Sequence, residues 1–354
     1  MKTIKYFLAF VLAVFAVACN DGIDSITSVA PGPDETAPTV KILYPLEGTQ
    51  IQVTEDVTSI NIRVDAVDDI ELESLTIQLN GAEIAKYTAF KDYRHALVTY
   101  AYDRLTNGKH SLTVIAKDLT GKTTTESVNF EKAAPYKSDF EGEIFYMPFN
   151  GDYMELVGIK YATTVGNPLF TAGKSGQAYA GAADAYLTFP TSGLLGSSFT
   201  AAFWYKMNDT PDRSGILTIG PVDEANPDQM NNRKSGFRFF RESGNGGQTL
   251  KLNVGDGAGD SWFDGGETAT LTTSDWVHVA FTISDTECVV YFNGEVVCQN
   301  TFSGVSWEGC DILSIGSGAP RFTEWNHMSD QSLMDELRLF NKALTPEEIK
   351  EIMK

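Results

Sequence analysis

The sequence predicts an all-β fold in two domains, closed by one short helix. Three observations carry this. Short segments alternate apolar and polar residues, as in Ile60, Ile62 and Val64, Leu75, Ile77 and Leu79, and Leu112, Val114 and Ala116; a period of two places each set on one face of a strand. Asn80-Gly81 and Asn293-Gly294 follow such segments and are hairpin-turn dipeptides. The helix signal comes at the end of the chain: Thr345 with Glu348 three residues on makes a capping box, and Pro346 sits at the first helical position, where its missing N–H is harmless.

The N-terminus is read first as a leader. Lys2 and Lys5 precede the apolar run Tyr6 to Ala18, which ends in small residues directly before Cys19. The run is shorter than the roughly 20 apolar residues that cross a bilayer and has the three regions of a secretory signal. Ala16-Val17-Ala18-Cys19 resembles the bacterial lipobox, which implies cleavage after residue 18 and acylation of Cys19. Each buried methylene of such an anchor contributes roughly 0.8 kcal/mol, so several acyl chains hold the protein to a membrane. Residues 19–37 are rich in Ser, Thr, Pro and Gly without apolar periodicity and are expected to be a flexible tether. Asp21 and Asp24 resemble the export signal of lipoproteins displayed on the outer membrane, which places the chain at the cell surface; a periplasmic location is the alternative.

The formal net charge is −20, and loss of Lys2 and Lys5 with the leader makes the mature chain more acidic still. Such a chain argues against nucleic acid and anionic lipid as partners, since both attract clustered Lys and Arg. Beyond Cys19 the cysteines are Cys288, Cys298 and Cys310, which allow at most one disulfide. With a two-residue loop at Asn293-Gly294, Cys288 lies opposite Gln299 and Cys298 opposite Val289. Their sulfurs then point to opposite faces, and pairing them needs a bulge. Nothing in the spacing resembles a cysteine zinc site.

Residues 38–132 hold roughly seven alternating segments bounded by turn signals, the pattern of an antiparallel sandwich. Asn107-Gly108-Lys109-His110-Ser111-Leu112-Thr113-Val114-Ile115-Ala116-Lys117-Asp118, then Gly121, resembles the last hairpin of bacterial immunoglobulin-like domains, which implies a spacer. The acidic group Asp65, Asp68, Asp69, Glu71 and Glu73 reads as a solvated loop, with calcium binding as the alternative.

Residues 138–354 carry the more extensive resemblance. Phe145-Tyr146-Met147-Pro148-Phe149-Asn150-Gly151, Gly173-Lys174-Ser175-Gly176-Gln177-Ala178, and Ser198-Phe199-Thr200-Ala201-Ala202-Phe203-Trp204-Tyr205-Lys206 follow one another in order. Trp276-Val277-His278-Val279-Ala280-Phe281 comes next, then Val290-Tyr291-Phe292-Asn293-Gly294, and Met334-Asp335-Glu336-Leu337-Arg338-Leu339-Phe340 leads into the closing helix. These blocks resemble the laminin-G-like, concanavalin A-like lectin and glucanase family. The fold expected of the whole chain is an immunoglobulin-like sandwich followed by a concanavalin A-like jelly roll. Such a jelly roll offers a long shallow face suited to a chain-like ligand.

Chemistry is sought separately from fold. The Glu-x-Asp-x-x-Glu pattern of glycoside hydrolases with this fold is absent from residues 138–354, and Asp335 and Glu336 are adjacent, which suits no paired acid and base. His278 reads as structural, and Trp204 and Trp276 as core or sheet-packing residues. Trp262, in the Gly-rich stretch 255–266, Trp307 and Trp325 fall outside the strand motifs; each is a candidate ligand-stacking ring, with a ring folded over the sheet edge as the alternative. Arg238, Arg241 and His327 are candidate polar contacts, although local ion pairing is the role that better suits the arginines. The resemblance further implies a structural calcium ion at Asp335, with Asp152 as a second ligand. The function expected is noncatalytic capture of polysaccharide or oligosaccharide by a surface lipoprotein working with outer-membrane glycan importers. The alternatives are an adhesion module for a protein partner and a hydrolase or lyase of the same fold.

Overall fold

A computed structural model describes residues 32–354. The leader and Cys19 lie outside the described residues, as does most of the expected tether. Of its last residues, Asp34 is held by the Lys122 ammonium through its carbonyl at 2.9 Å and its carboxylate at 3.1 Å, and Thr36 hydrogen-bonds Asp69. The chain is therefore fixed from Asp34 onward. No helix among the described residues is long and apolar enough to cross a membrane.

The described residues form two compact units, one through Ile51 and Val57–Lys132, the other Gln52–Asp56 and Ala133–Lys354. In the first, a three-stranded sheet (Thr39–Tyr44, Val57–Val67, His95–Thr106) accompanies a five-stranded sheet built around Gly108–Asp118. The alternating residues named from the sequence, Ile60, Ile62, Val64, Leu75, Ile77, Leu79, Leu112, Val114 and Ala116, all lie in its core. The acidic group is the solvated loop expected only in part: Asp69 is exposed in the loop between Val67 and Leu72. Asp65 pairs with His95 at 2.7 Å and Glu73 with Lys117 at 2.6 Å, both from strands, while the buried Asp68 carboxylate accepts the N–H groups of Ile70 and Glu71.

The second unit stacks two eight-stranded sheets over one apolar core. The first sheet runs in the order Thr163–Val165, Tyr186–Pro190, Ile312–Ile315, Arg213–Ile219, Phe237–Gly244, Gly247–Gly255, Asp260–Phe263, and its eighth strand, Thr270–Leu271, also pairs with Gly247–Gly255. The second is centred on Leu333–Phe340, Phe199–Lys206 and Trp276–Ile283. Alternation decides which side chains meet: Phe199, Ala201 and Phe203 point into the core, and Trp204 points out, half-buried, from the opposite face. The helix Pro346–Ile352 begins with the expected capping box, Glu348 N–H donating to Thr345 Oγ1 at 3.2 Å and Thr345 N–H to Glu348 Oε2 at 2.9 Å. It covers part of the outer face of the second sheet through Ile349, with Phe340 and Leu344 beside it.

The Asn293-Gly294 turn has both residues at positive φ, 50° and 77°, as its dipeptide demands. A bulge follows it, however: Tyr291 pairs with Val296 but Val290 with Cys298. The extra residue turns Cys298 to the same side as Cys288, and both thiols are buried in the core, free, as is Cys310. The opposite-face expectation thus fails on one inserted residue.

Candidate functional site

The outward face of the first sheet holds a transverse row of polar residues in direct register: Thr188 opposite Ser314, Ser314 opposite Thr218, Thr218 opposite Arg238, Arg238 opposite Asn253, and Asn253 opposite Trp262. Their chain neighbours Leu187, Leu217, Phe237, Phe239, Leu252, Phe263 and Leu313 fill the core, so alternation itself turns the row outward. Four consecutive members, Ser314 Oγ, Thr218 Oγ1, Arg238 Nε and Asn253 Oδ1, are buried with no hydrogen-bond partner among the described residues. Buried polar groups are nearly always satisfied by protein, water or ligand, so the run of four is a set of groups that water or a ligand would satisfy.

The aromatic groups come from the end of the row and from a turn beside it: Trp262 is on the edge strand Asp260–Phe263, not in a loop, and Trp325 is in the turn Glu324–Asn326. Trp262 and Trp325 are 43% and 44% exposed, and the Arg233 guanidinium lies between them, 5.7 Å from one ring centre and 5.3 Å from the other. Arg233 is oriented by Asp260, 3.3 Å from its Nε, and Asp260 in turn accepts the Asn253 side-chain N–H at 2.7 Å. Behind the indoles, Phe240 lies edge-on to Trp262, and the His327 ring stacks on Phe322 at 4.6 Å and meets Phe240 at 4.6 Å.

Trp325 and Asn326 both adopt left-handed backbone, φ 60° and 65°, a conformation that costs a bulky residue on the order of 1–3 kcal/mol. The loop is held there by many ties. Arg213 donates to the Trp325 carbonyl at 3.2 Å, Thr323 Oγ1 to the Gln229 carbonyl at 2.8 Å, and Asn231 to the Glu324 carboxylate.

Of the residues singled out from sequence, Trp262 and Trp325 are brought together and face solvent. Trp307 is not with them: its Nε1–H donates to the Gly196 carbonyl at 2.7 Å and its ring packs against Phe199 and Phe237 in the core. Arg238 and Arg241 lie three apart on one strand and so point to opposite faces. Arg241 is wholly buried, donating through Nε and Nη2 to Asp330 at 3.1 and 3.0 Å and through Nη1 to Gln248 at 2.6 Å; it is a structural ion pair, not a ligand contact. Arg238 belongs to the polar row. It has no carboxylate partner, donates to the carbonyls of Ser235 and Asn232, and is lowered to about 10 by burial. His327 is closed to solvent and holds Glu242 at 3.0 Å, so it supports the platform from beneath. Hydrogen bonds from His327 and Lys251 pull the Glu242 carboxyl down to about 2. Trp204 and Trp276 are half-buried on the outer face of the second sheet, outside the core.

The two aspartates implied for calcium accept backbone N–H groups. Asp335 is fully buried, its Oδ2 accepting the Ser175 N–H at 2.9 Å and its Oδ1 the Glu336 N–H at 2.9 Å. Burial, with the Glu336 charge adding, pushes it up to about 6. Asp152 accepts the Met154 N–H at 3.1 Å. Among the described residues no three His, Cys, Asp or Glu side chains cluster as metal ligands.

Arg233 and Asn253 were not among the expected site residues. Asn253 was accessible to the same reasoning, being polar between core-facing Leu252 and Val254; Arg233 sits in a loop with no periodicity to flag it.

Comparison with known proteins agrees with this architecture. Residues 181–350 match a laminin-G-type model of the concanavalin A-like lectin/glucanases superfamily, and residues 38–114 match the bacterial Ig domain. The protein is thus an all-β chain with an immunoglobulin-like domain followed by a concanavalin A-like domain. Among solved structures it is similar to domain 4 of AbnA, a GH43 extracellular arabinanase from Geobacillus stearothermophilus, in complex with arabinotriose: 19% identity, 60% of this chain and 98% of that one, TM-score 0.47. It is also similar to the botulinum neurotoxin serotype C1 binding domain, with 12% identity over 60% of this chain, about half (52%) of that one, and a TM-score of 0.44. A SAP-like pentraxin from Limulus polyphemus follows at 17% identity, 45% and 70% coverage, TM-score 0.33. No curated protein matches the chain in sequence.

Proposed function

We propose that the protein is a lipid-anchored glycan-binding protein displayed at the outer-membrane surface, which captures polysaccharide or oligosaccharide without cleaving it and holds it for uptake by importer proteins. The observation that carries this reading is the pair of half-exposed indoles flanking Arg233 beside the row of polar groups. Indole faces accept the C–H faces of sugar rings, and hydroxyl-rich ligands satisfy polar groups in a sheet face, directly or through water. The carboxylates nearby support capture over hydrolysis. Glu242 is held charged by His327 and Lys251, Asp260 is engaged by Arg233 and Asn253, and Glu324 by Asn231; a glycosidase acid needs a carboxyl kept protonated. A tether and an immunoglobulin-like spacer suit capture, because anchoring raises the local concentration of a ligand bound with modest affinity.

Affinity electrophoresis of the whole chain through gels holding different polysaccharides tests the reading, with a reducing-sugar assay alongside. Retardation by one polysaccharide without product release, lost in Trp262→Ala and Trp325→Ala, is expected. Release of sugars overturns the noncatalytic reading, and retardation by none of the panel overturns the glycan reading.

A further inference from the structure

The outer face of the second sheet holds a separate cleft of about 600 Å³ in which Trp204, His278, Lys174, Ser175, Glu336 and Arg338 come together. It lies where the C-terminal helix stops covering the sheet. Trp204 is opposite His278 on the neighbouring strand, and their rings meet edge to face at 5.3 Å. His278 is 1% exposed, yet its Nδ1 has no hydrogen-bond partner among the described residues. Burial holds its pKa down to about 4, so the ring is neutral at ordinary pH and can offer one N–H and one lone pair.

The charges in the cleft are unequal in their commitments. Arg338 stacks on Tyr146 at 3.7 Å and is paired with Glu143 at 2.6 Å and Glu336 at 3.2 Å; Glu336 also accepts the Tyr146 O–H at 2.7 Å. Lys354 is paired with Glu351. Lys174 has no carboxylate within ion-pair distance among the described residues, and its ammonium rests 4.3 Å from the Trp204 ring centre. Its loop is fixed by the Ser175 N–H, which donates to the buried Asp335 carboxylate. An unpaired ammonium over an indole, next to a buried imidazole nitrogen without a partner, is a preformed place for one carboxylate on a ring-shaped ligand.

We propose that this cleft is a second binding site, distinct from the Trp262–Trp325 face, for a carboxylate-bearing sugar unit of the uronic acid type. Lys174 receives the carboxylate, Trp204 flanks the sugar ring, and His278 bonds a ring substituent.

Saturation-transfer NMR on the whole chain tests it, with glucuronate and galacturonate as probes, glucose and galactose as their neutral parents, and acetate as the bare anion. At least one uronate is expected to bind more tightly than its neutral parent and than acetate. Lys174→Gln, at an exposed position where folding is not at stake, should weaken that binding by about tenfold. Trp262→Ala should leave it unchanged, which separates this site from the first. Equal binding of uronate and parent, acetate binding as tightly as uronate, indifference to Lys174→Gln, loss in Trp262→Ala, or no binding by any probe would each overturn the proposal.

Discussion

Replacing Asp335 with Asn should expose a pH dependence that the wild-type protein conceals. Asp335 and His278 sit on either side of Trp204 across three adjacent strands, and both are closed to solvent. Burial moves them in opposite directions: the histidine falls from 6.5 to about 4, and the aspartate rises from 3.8 to about 6. As pH falls below about 6.5 the unfolded chain protonates His278 while the native state does not, so stability is lost down to about pH 4 and then levels off. Asp335 does the reverse, since the native state takes its proton first and gains stability as pH falls from about 6 to 3.8. At about 1.36 kcal/mol per unit, each contribution reaches roughly 3 kcal/mol, and over the shared window they largely offset one another. Asp335→Asn removes the gain and leaves the loss, so the variant should lose about 2 kcal/mol more than wild type between pH 7 and 4.5. His278→Gln should show the opposite change, and the double variant should return to the wild-type slope. Urea denaturation followed by tryptophan fluorescence reads the relevant domain, because all five tryptophans lie in the second unit. Other groups lining the cleft, Asp139, Lys174, Glu336, Arg338, Glu351 and Lys354, are common to all four proteins and cancel in the differences. Equal pH slopes in wild type and Asp335→Asn would refute the reasoning.

Two further outcomes follow from the ligand-facing loop and its anchor. Trp325→Gly and Trp325→Ala should both abolish glycan retardation, yet the glycine form should be more stable than the alanine form by about 1 kcal/mol in urea, because only alanine retains the left-handed backbone cost. Asp330→Ala should destabilise the second unit by roughly 3–5 kcal/mol in the same assay, since it strands the buried Arg241 charge and removes the acceptor of the Tyr205 O–H at 2.7 Å; a loss under 1 kcal/mol would contradict the burial assigned to the pair.

Alternation made most of the architecture legible before any coordinates. It turns Phe199, Ala201 and Phe203 inward and Trp204 outward; the same period puts Arg238 and Arg241 on opposite faces of their strand, a step not applied where both are taken as ligand contacts. It failed at the Asn293-Gly294 hairpin, where one inserted residue reversed the side taken by Cys298. No local rule shows such a bulge, because the strand satisfies its period on both sides of it. The site was half legible. Trp262 and Trp325 stand out as rings in polar stretches, but Trp307 has the same local signal and folds into the core, a difference set by Gly196 and Phe237 far along the chain. The row from Ser314 to Trp262 draws on five different strands, and its members become neighbours only through strand order.

The bracket around Trp325 has a thermodynamic meaning for recognition. Its backbone is already set in an unfavourable conformation and tied by Arg213, Gln229 and Asn231, and the segment that follows runs straight to Asp330, the carboxylate shared by Arg241 and Tyr205 from the two sheets. Folding has thus already restricted the freedom that a mobile loop would surrender on meeting a ligand. Affinity at such a ring is set by the ligand's own loss of motion, so stiff, extended chains should be favoured over flexible ones of the same composition.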